Sequence, residues 1–318
     1  MEPSSRSTQL IHGGVRYLRQ GNVGLVRQAL AERGRLIRSA PHLVQRLAHL
    51  VPVFSQWERL FYGSGLKIYD LLAGSSSLVA SSLLSRAETM THFPVLKANG
   101  LKGSVQYYDA QFDDSRLAVS LARSVEHLGG LILTYVQVHA FLKDNGRLTG
   151  VVAQDLENDG EIRVRARVII NATGVFSDAL RTLNHPSHRK QVLASQGTHI
   201  VLPLGRMSAT RGLLIPKTRD GRVLFLLPWH GVLLAGTTDV AVSEAGLEPA
   251  PSRAEVEYIL EHLAGYLEPA PSVSDCLSVF AGLRPLIQAK PGEGTANLSR
   301  EHAVVVDPSG LVNLIGGK

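Results

Sequence analysis

Four glycine turns flanked by hydroxyls or cations are the parts of this 318-residue sequence best suited to chemistry. The first lies in SSRSTQLIHGGVRYL, residues 4–18, where short hydroxyl side chains lead to His12-Gly13-Gly14 and then to Arg16 and Tyr17. Without a Cβ, glycine lets the backbone approach a flat or phosphorylated ligand, and Arg16 and Tyr17 bring polar tips to the same space. The second is Asn171-Ala172-Thr173-Gly174, a strand-to-helix turn whose free N–H groups suit a ligand oxygen. The third is Gly282-Leu283-Arg284-Pro285, where proline fixes the chain after an arginine, and the fourth is Gly316-Gly317-Lys318. A single turn of this kind is ordinarily structural. Four at the ends of expected strands, three of them with a cation, point to one shared ligand.

Several other chemistries are excluded by pattern. There is no GxSxG nucleophile elbow, no GxxxxGK[ST] phosphate loop and no HExxH. His185 and His188 are the close histidine pair and read as exposed loop residues, so no metal site is expected. A lone Cys276 excludes an intrachain disulfide and any CxxC pair, and suggests a reducing compartment. Hydrophobic residues at 44% exclude a disordered chain, and no apolar run approaches the ~18 residues of a membrane span. Residues 1–12 lack the apolar stretch of a secretory signal.

Charge is concentrated at one end. Residues 1–60 hold nine arginines and three acids, which accounts for the whole net charge of +6, while the remainder balances. That distribution argues against a nucleic-acid coat. It suits an anionic partner near residues 15–51 (a phosphate, a lipid headgroup layer or another chain), or simply an arginine-rich solvated helix face.

The elements that must position these residues follow from periodicity. Residues 22–38 read as a helix with Val26, Leu30 and Ile37 on one face; Ser39 and Pro41 open a second, ended by Pro52. Residues 73–82 read as loop. Asp113 or Asp114 caps a helix carrying Leu117, Leu121, Val125 and Leu128, closed by Gly129-Gly130. Strands follow at 131–138, 139–143 and 147–155, the last two joined through Asn145-Gly146, then at 161–165, and a buried strand at 167–171 leads to the NATG turn. Ser177 or Asp178 caps a short helix beyond it. The second half predicts strands at 199–203, 222–228, 231–236, 277–281, 303–306 and 311–315. It also predicts one helix, opened by a Ser252/Glu255 capping box and lined by Val256, Ile259, Leu260, Leu263 and Leu267. This order predicts a mixed α/β fold, a mononucleotide-type layer with a β-meander crossover.

The segments SSRSTQLIHGGVRYL, NATGVFSD, QGTHIVLP, LFLLPWHGVLLAGTTDV, FAGLRPLI, SREHAVVVD and GLVNLIGGK, in this order and spacing, resemble the aerobic FAD-dependent glycerol-3-phosphate dehydrogenases of the D-amino-acid-oxidase-like flavoprotein group. The resemblance implies an FAD-dependent oxidoreductase fold with a β-meander and an antiparallel substrate sheet. Residues 1–20, 104–186 and 276–318 would form the FAD-binding part, and 21–103 with 187–275 the substrate or cap part. It implies oxidation of glycerol 3-phosphate to dihydroxyacetone phosphate, with a hydride passing to FAD and electrons on to quinone at a membrane surface. By matching position, Arg16, Tyr17, Arg284 and Lys318 would contact substrate and phosphate, and Arg284 or Lys318 would offset charge on the reduced flavin. His199 would take the C2 hydroxyl proton, or else serve as a strand histidine bonded to backbone. Ser4, Ser5, Thr8, Leu10, Gly13, Gly14, Val138, Ala172, Thr173, Gly174, Gly282, Gly316 and Gly317 would surround the cofactor. Thr237 and Asp239 are read as shaping the substrate sheet.

Two departures matter. The family opens with a strand and a GxGxxG turn, and continues past GGK into a helical domain; this sequence contains neither, and no GxGxxG occurs in it. The expectation is therefore a truncated form that touches the flavin ring but holds FAD weakly, cytoplasmic or peripheral at the cytoplasmic membrane, and able to form homo-oligomers. Competing readings are a non-catalytic or partner-binding remnant of the same fold, and an amino- or hydroxy-acid oxidase of the same group.

Overall fold

A computed structural model describes residues 3–19, 21–205, 211–288 and 302–317. A short strand, β1 (Leu10–Ile11), precedes α1 (Val15–Arg19) and α2 (Val23–Ser39). Asn22 starts α2 by accepting from the Leu25 N–H at 3.2 Å, and Val26 and Leu30 are buried. The residues after it do not form the expected helix. They form β2 (Val44–Val53), which pairs antiparallel with β4 (Gly103–Phe112) from Val44↔Phe112 to Val53↔Gly103. The leucines and valines of 43–51 satisfy a helical period locally, but this long pairing outweighs local propensity. Pro52 lies within the strand rather than ending a helix.

Between them lie α3 (Gln56–Ala73), opened by a Ser55/Glu58 capping box, β3 (Ser82–Leu84) and α4 (Arg86–His92). Asp113 caps α5 (Asp114–His127) as expected. The meander is β5 (Val136–Asp144), β6 (Arg147–Asp155) and β7 (Glu161–Arg165). The two strands expected at 131–138 and 139–143 are one strand, which begins only at Val136; Leu131 and Leu133 are exposed loop residues. β8 (Ile169–Asn171) is shorter than expected and only partly buried: Asn171 is enclosed, but Ile170 is 60% exposed.

α6 (Ser177–Asn184) begins without a side-chain cap. Ser177 Oγ donates to the Gly174 carbonyl instead, and the Asp178 carboxylate accepts from the Gln191 and Val192 N–H groups and pairs with His188 Nε2 at 2.8 Å. His188 is thus tied down, not a free loop histidine, whereas His185 is exposed.

The second half supplies β9 (Val192–Pro203), β10 (Gly212–Ile215), β11 (Leu224–Trp229), β12 (Val232–Gly236), β13 (Val240–Val242), α7 (Arg253–Ala264), β14 (Ser278–Ile287), β15 (His302–Val306) and β16 (Leu311–Gly316). Ser252 and Glu255 form the expected capping box of α7. The expected turn at Gly282–Pro285 is instead the middle of β14, which runs unbroken against β9 from Ser278↔Val201 to Ile287↔Val192. Local Gly and Pro signals yield there to a ten-residue ladder.

A ten-stranded sheet runs β1-β4-β2-β10-β11-β12-β9-β13, with β14 also on β9 and β3 on β4; its β2–β10 contact is parallel. Two small sheets, β15-β16-β8 and β5-β6-β7, complete the fold. The large sheet takes strands from both sets of residue ranges into which the sequence was divided, as β2 with β4 and β9 with β14. One core cluster packs Val256, Ile259, Leu260 and Leu263 of α7 on Ile200, Leu202, Leu213 and Leu233 of this sheet. A second packs α2 and α3 on Val51, Val53, Val105 and Tyr107.

Candidate functional site

A cavity of about 1370 Å³ opens beside the large sheet, and residues far apart in sequence line it. From the first glycine segment come Thr8, Leu10, Gly13, Gly14 and Tyr17; from the NATG turn, Ala172 and Gly174; from β14, Arg284; and from the end of β16, Gly316 and Gly317. The segments that sequence singled out therefore meet at one space. Thr237, Thr238, Asp239 and Arg222 line the same wall as Arg284, so the GTTD segment is part of the cavity as well as of the sheet.

Arg284 is 5% exposed. Its Nη1 donates to the Thr238 carbonyl at 3.0 Å and its Nη2 to Thr237 Oγ1 at 2.7 Å. Gly197, opposite Gly282 on β9, leaves the space that the guanidinium fills: a Cβ there would lie against Arg284 and 2.6 Å from Thr237 Oγ1. The Thr237–Thr238 turn is itself anchored by Glu255. That carboxylate accepts from Thr238 Oγ1 at 2.7 Å, Thr198 Oγ1 at 2.9 Å and Gln196 Nε2 at 2.8 Å. Burial works to raise its pKa, but bonds from Ser252, Thr238 and Thr198 outweigh burial and hold it below the usual carboxylate range. The first turn of α7 thus braces the loop that holds Arg284. Beside it, Arg222 Nη1 pairs with Asp239 at 3.0 Å, and Ser195 Oγ donates to the other oxygen of that carboxylate.

His199 lies behind the wall. It is 1% exposed, stacks on Phe280 with ring centroids 5.0 Å apart, and its Nε2 stands 2.8 Å from Thr8 Oγ1. The ring does not line the cavity; Thr8 does. Gly236 makes room for the imidazole. Ser4 and Ser5 belong to a 3-10 turn of which Pro3 lines the cavity and they do not, with the Ser4 carbonyl accepting from Ser115 Oγ. Thr173 caps Asn171 with its hydroxyl at 2.7 Å, Gly282 packs under the Arg6 backbone, and Val138 sits in the β5–β6 ladder opposite Ala153; none of the three lines the cavity. Arg16 lies in α1, its side chain outside the described residues, and Lys318 lies outside them altogether.

Sequence reasoning missed Arg222, Glu255 as a brace, and a buried set of Arg33, Tyr69 and Asp109. Each carried a signal: Arg222 follows an Asp-Gly turn, Glu255 is the acid of a capping box, and Asp109 is the one acid in strand β4. Arg33, one of the nine arginines of residues 1–60, is 2% exposed and bonded to Asp109 rather than solvated.

Comparison with known proteins gives a consistent picture. The model of the family described as FAD dependent oxidoreductase matches residues 1–316. A probable mitochondrial glycerol-3-phosphate dehydrogenase of Caenorhabditis elegans is 38% identical over 99% of this chain and 45% of its own length. The mitochondrial glycerol-3-phosphate dehydrogenase of Saccharomyces cerevisiae is 37% identical over 99% of this chain and 55% of its own. The chain spans about half the length of the curated relatives it matches. Among solved structures, the glycerol-3-phosphate dehydrogenase of Bacillus halodurans complexed with FAD superposes with a TM-score of 0.77 at 27% identity, covering 100% of this chain and 54% of that one.

Proposed function

Because the chain belongs to the FAD dependent oxidoreductase family, we propose that its cavity serves FAD-dependent oxidation of glycerol 3-phosphate to dihydroxyacetone phosphate, with electrons passed to a quinone. The observation that carries this reading is the meeting of Gly13, Gly14, Gly174, Arg284, Gly316 and Gly317 around one space. The residues present fit the ring end of the cofactor. Backbone from three glycine turns faces the cavity, and a Cβ on Gly174 would meet nothing within 4 Å, so a flat ring can lie close to main chain there. Gly13, Gly14, Ala172, Gly174, Gly316 and Gly317 would hold it. When bound, FAD accepts the hydride from substrate C2.

The rest is the work of this chain's own side chains. Arg284 and Tyr17, joined by Arg16 and Lys318, hold the phosphate; an arginine fork matches its oxygens and offsets the charge that loses water. Arg284 enters this role with its position set by Thr237 and Thr238. The C2 hydroxyl proton leaves through the Thr8 hydroxyl to His199, since Thr8 stands between that ring and the cavity. In this reading residues 1–20, 104–186 and 276–318 face the flavin, 21–103 and 187–275 face the substrate, and the cavity takes lining from both.

Quinone reduction places the protein at a membrane surface, which we assign to the cytoplasmic side and to anionic lipid. Among the described residues no helix is long and apolar enough to cross a membrane. The basic stretch is not the helix pair expected, because 44–53 is a sheet strand; Arg27, Arg35 and Arg38 on α2 remain as exposed cations, beside exposed Trp57, Leu60 and Leu71 on α3.

The test combines binding and turnover. FAD is titrated into the protein with flavin fluorescence as readout, and dye-linked oxidation of glycerol 3-phosphate is compared with that of glycerol. Arg284→Lys should raise KM for glycerol 3-phosphate roughly tenfold or more, the worth of a charge-assisted bond, and leave glycerol turnover little changed. Equal loss for both substrates would assign Arg284 to the fold or the flavin. A flavin-loaded protein that glycerol 3-phosphate does not reduce would sink the reading.

A further inference from the structure

The backbone of Gly13, on the cavity wall, is held by three buried side chains that the proposed chemistry does not use. Tyr69 of α3 and Asp109 of β4 are each 1% exposed, and Arg33 of α2 is 2% exposed. The Gly13 N–H donates to the Tyr69 hydroxyl at 2.7 Å. That hydroxyl donates to Asp109, 2.8 Å from Oδ1 and 3.1 Å from Oδ2. Arg33 Nη1 in turn donates to Asp109 Oδ1 at 2.6 Å and to the Tyr108 carbonyl at 3.1 Å, and its Nη2 to the Ser76 carbonyl at 3.2 Å. A phenol has one proton. Directed at Asp109, that proton leaves the phenolic oxygen free to accept from Gly13. The fit is close: a Cβ at position 13 would lie 2.6 Å from both the Tyr69 hydroxyl and the Leu30 side chain.

We infer that Tyr69 and Asp109 are positioning residues for the 12–14 segment: charged Asp109 turns the Tyr69 hydroxyl so that it accepts the Gly13 N–H, and protonation of Asp109 releases that segment. A protonated carboxyl carries an O–H that can point at the Tyr69 oxygen, 2.8–3.1 Å away, so it competes with Gly13 for the same lone pairs. The groups facing Asp109 are Arg33 from α2, Tyr69 from α3, the Gly13 N–H and Tyr107 from its own strand; His49 of β2 stacks on Tyr107 at 5.1 Å. Burial raises the Asp109 carboxyl to about 6, against the pull of Arg33 and the bonds from Arg33, Tyr69 and the Gly13 N–H. Burial, with the Asp109 charge, raises Tyr69 well above its ordinary value, so the phenol keeps its proton. The switch therefore falls between pH 5 and 7. Its meaning for turnover rests on the reading of the cavity given above; the positioning itself does not.

Residue-resolved amide hydrogen exchange at Gly13, corrected for the intrinsic pH dependence and measured from pH 5 to 8 without ligand, tests this. In the wild type, protection of Gly13 should fall roughly tenfold, the worth of one hydrogen bond, as pH drops through about 6. Asp109→Asn should abolish that pH step. Tyr69→Phe should lower the protection across the whole pH range while the β4 amides of Tyr107 and Tyr108 stay protected. Unchanged Gly13 protection in Tyr69→Phe, or a wild type without the pH step, overturns the inference. So does loss spread evenly through β4, which would mark a merely structural role. Calorimetric titration of wild type with glycerol 3-phosphate reports separately: no binding alongside a Tyr69-dependent Gly13 defeats the proposed function and leaves the positioning role standing.

Discussion

The two sides of this molecule treat the same kinds of residue differently. Around the ten-stranded sheet, apolar side chains of β9, β11 and β12 are closed over by α7, and those of β2 and β4 by α2 and α3. In the β15-β16-β8 sheet, Val304, Val306 and Ile170 are 59%, 64% and 60% exposed, and α5 buries none of its residues. Both regions carry regular amphipathic patterns. The difference is that helices cover the apolar stretches of the large sheet, whereas the small sheet buries Leu311 and Ile315 and leaves Val304, Val306 and Ile170 uncovered. Burial is what then makes polar groups consequential: Arg33, Asp109, His49 and Glu255 all lie on the closed side.

The sharpest way to probe this contrast is pH. His49 is fully enclosed, and burial, helped slightly by His12 and opposed by a bond to the Leu47 carbonyl, lowers its pKa from 6.5 to about 3. Between those values the unfolded chain binds a proton that the folded one refuses, so His49 withdraws stability as pH falls. Asp109, raised from 3.8 to about 6, does the reverse and adds stability as pH falls from 6 to 3.8. Together they nearly cancel between pH 6 and 4. His49→Gln should unmask Asp109: relative to wild type, its stability from denaturant melts should climb by about 1.4 kcal/mol per pH unit lowered below 6.5. A parallel pair of stability curves would mean that the sheet is not closed over His49.

Packing gives the next largest effect. Ile259→Ala on α7, wholly buried against the sheet, should cost about 2–5 kcal/mol in denaturant melts. On the open side, Val304→Thr combined with Val306→Thr should change stability by less than about 0.5 kcal/mol. A loss of 2 kcal/mol or more there would show that something covers that face in solution, and would erase the contrast.

How much was legible in advance follows the same line. The α7 capping box, the Asp113 cap and the Asn145-Gly146 hairpin were readable because each rests on contacts within a few residues. The run 43–51 was not, since its leucines and valines fit a helix as well as a strand until β4 pairs with them. Nor was Gly282–Pro285, where turn-forming residues lie inside a ladder. At the site, the glycine turns could be named but not their company. For His199 the sequence left open a proton acceptor or a strand histidine bonded to backbone; in the structure its Nε2 meets Thr8 Oγ1, and Thr8 lines the cavity.

By itself, then, the sequence determined which segments come to the cavity: the glycine segments are written in residue type, and residue type sets what a backbone can approach. Only the tertiary structure decided how each charge is held. Arg33, one of the nine arginines of residues 1–60, is spent inside the protein on Asp109, and Arg284 is aimed by a threonine turn that Glu255 braces from fifty-odd residues of sequence away from Gln196 and Thr198. Such partners are brought together by strand pairing and helix packing, and a low-dielectric interior makes each of them count. Neither condition has a local signature in the chain.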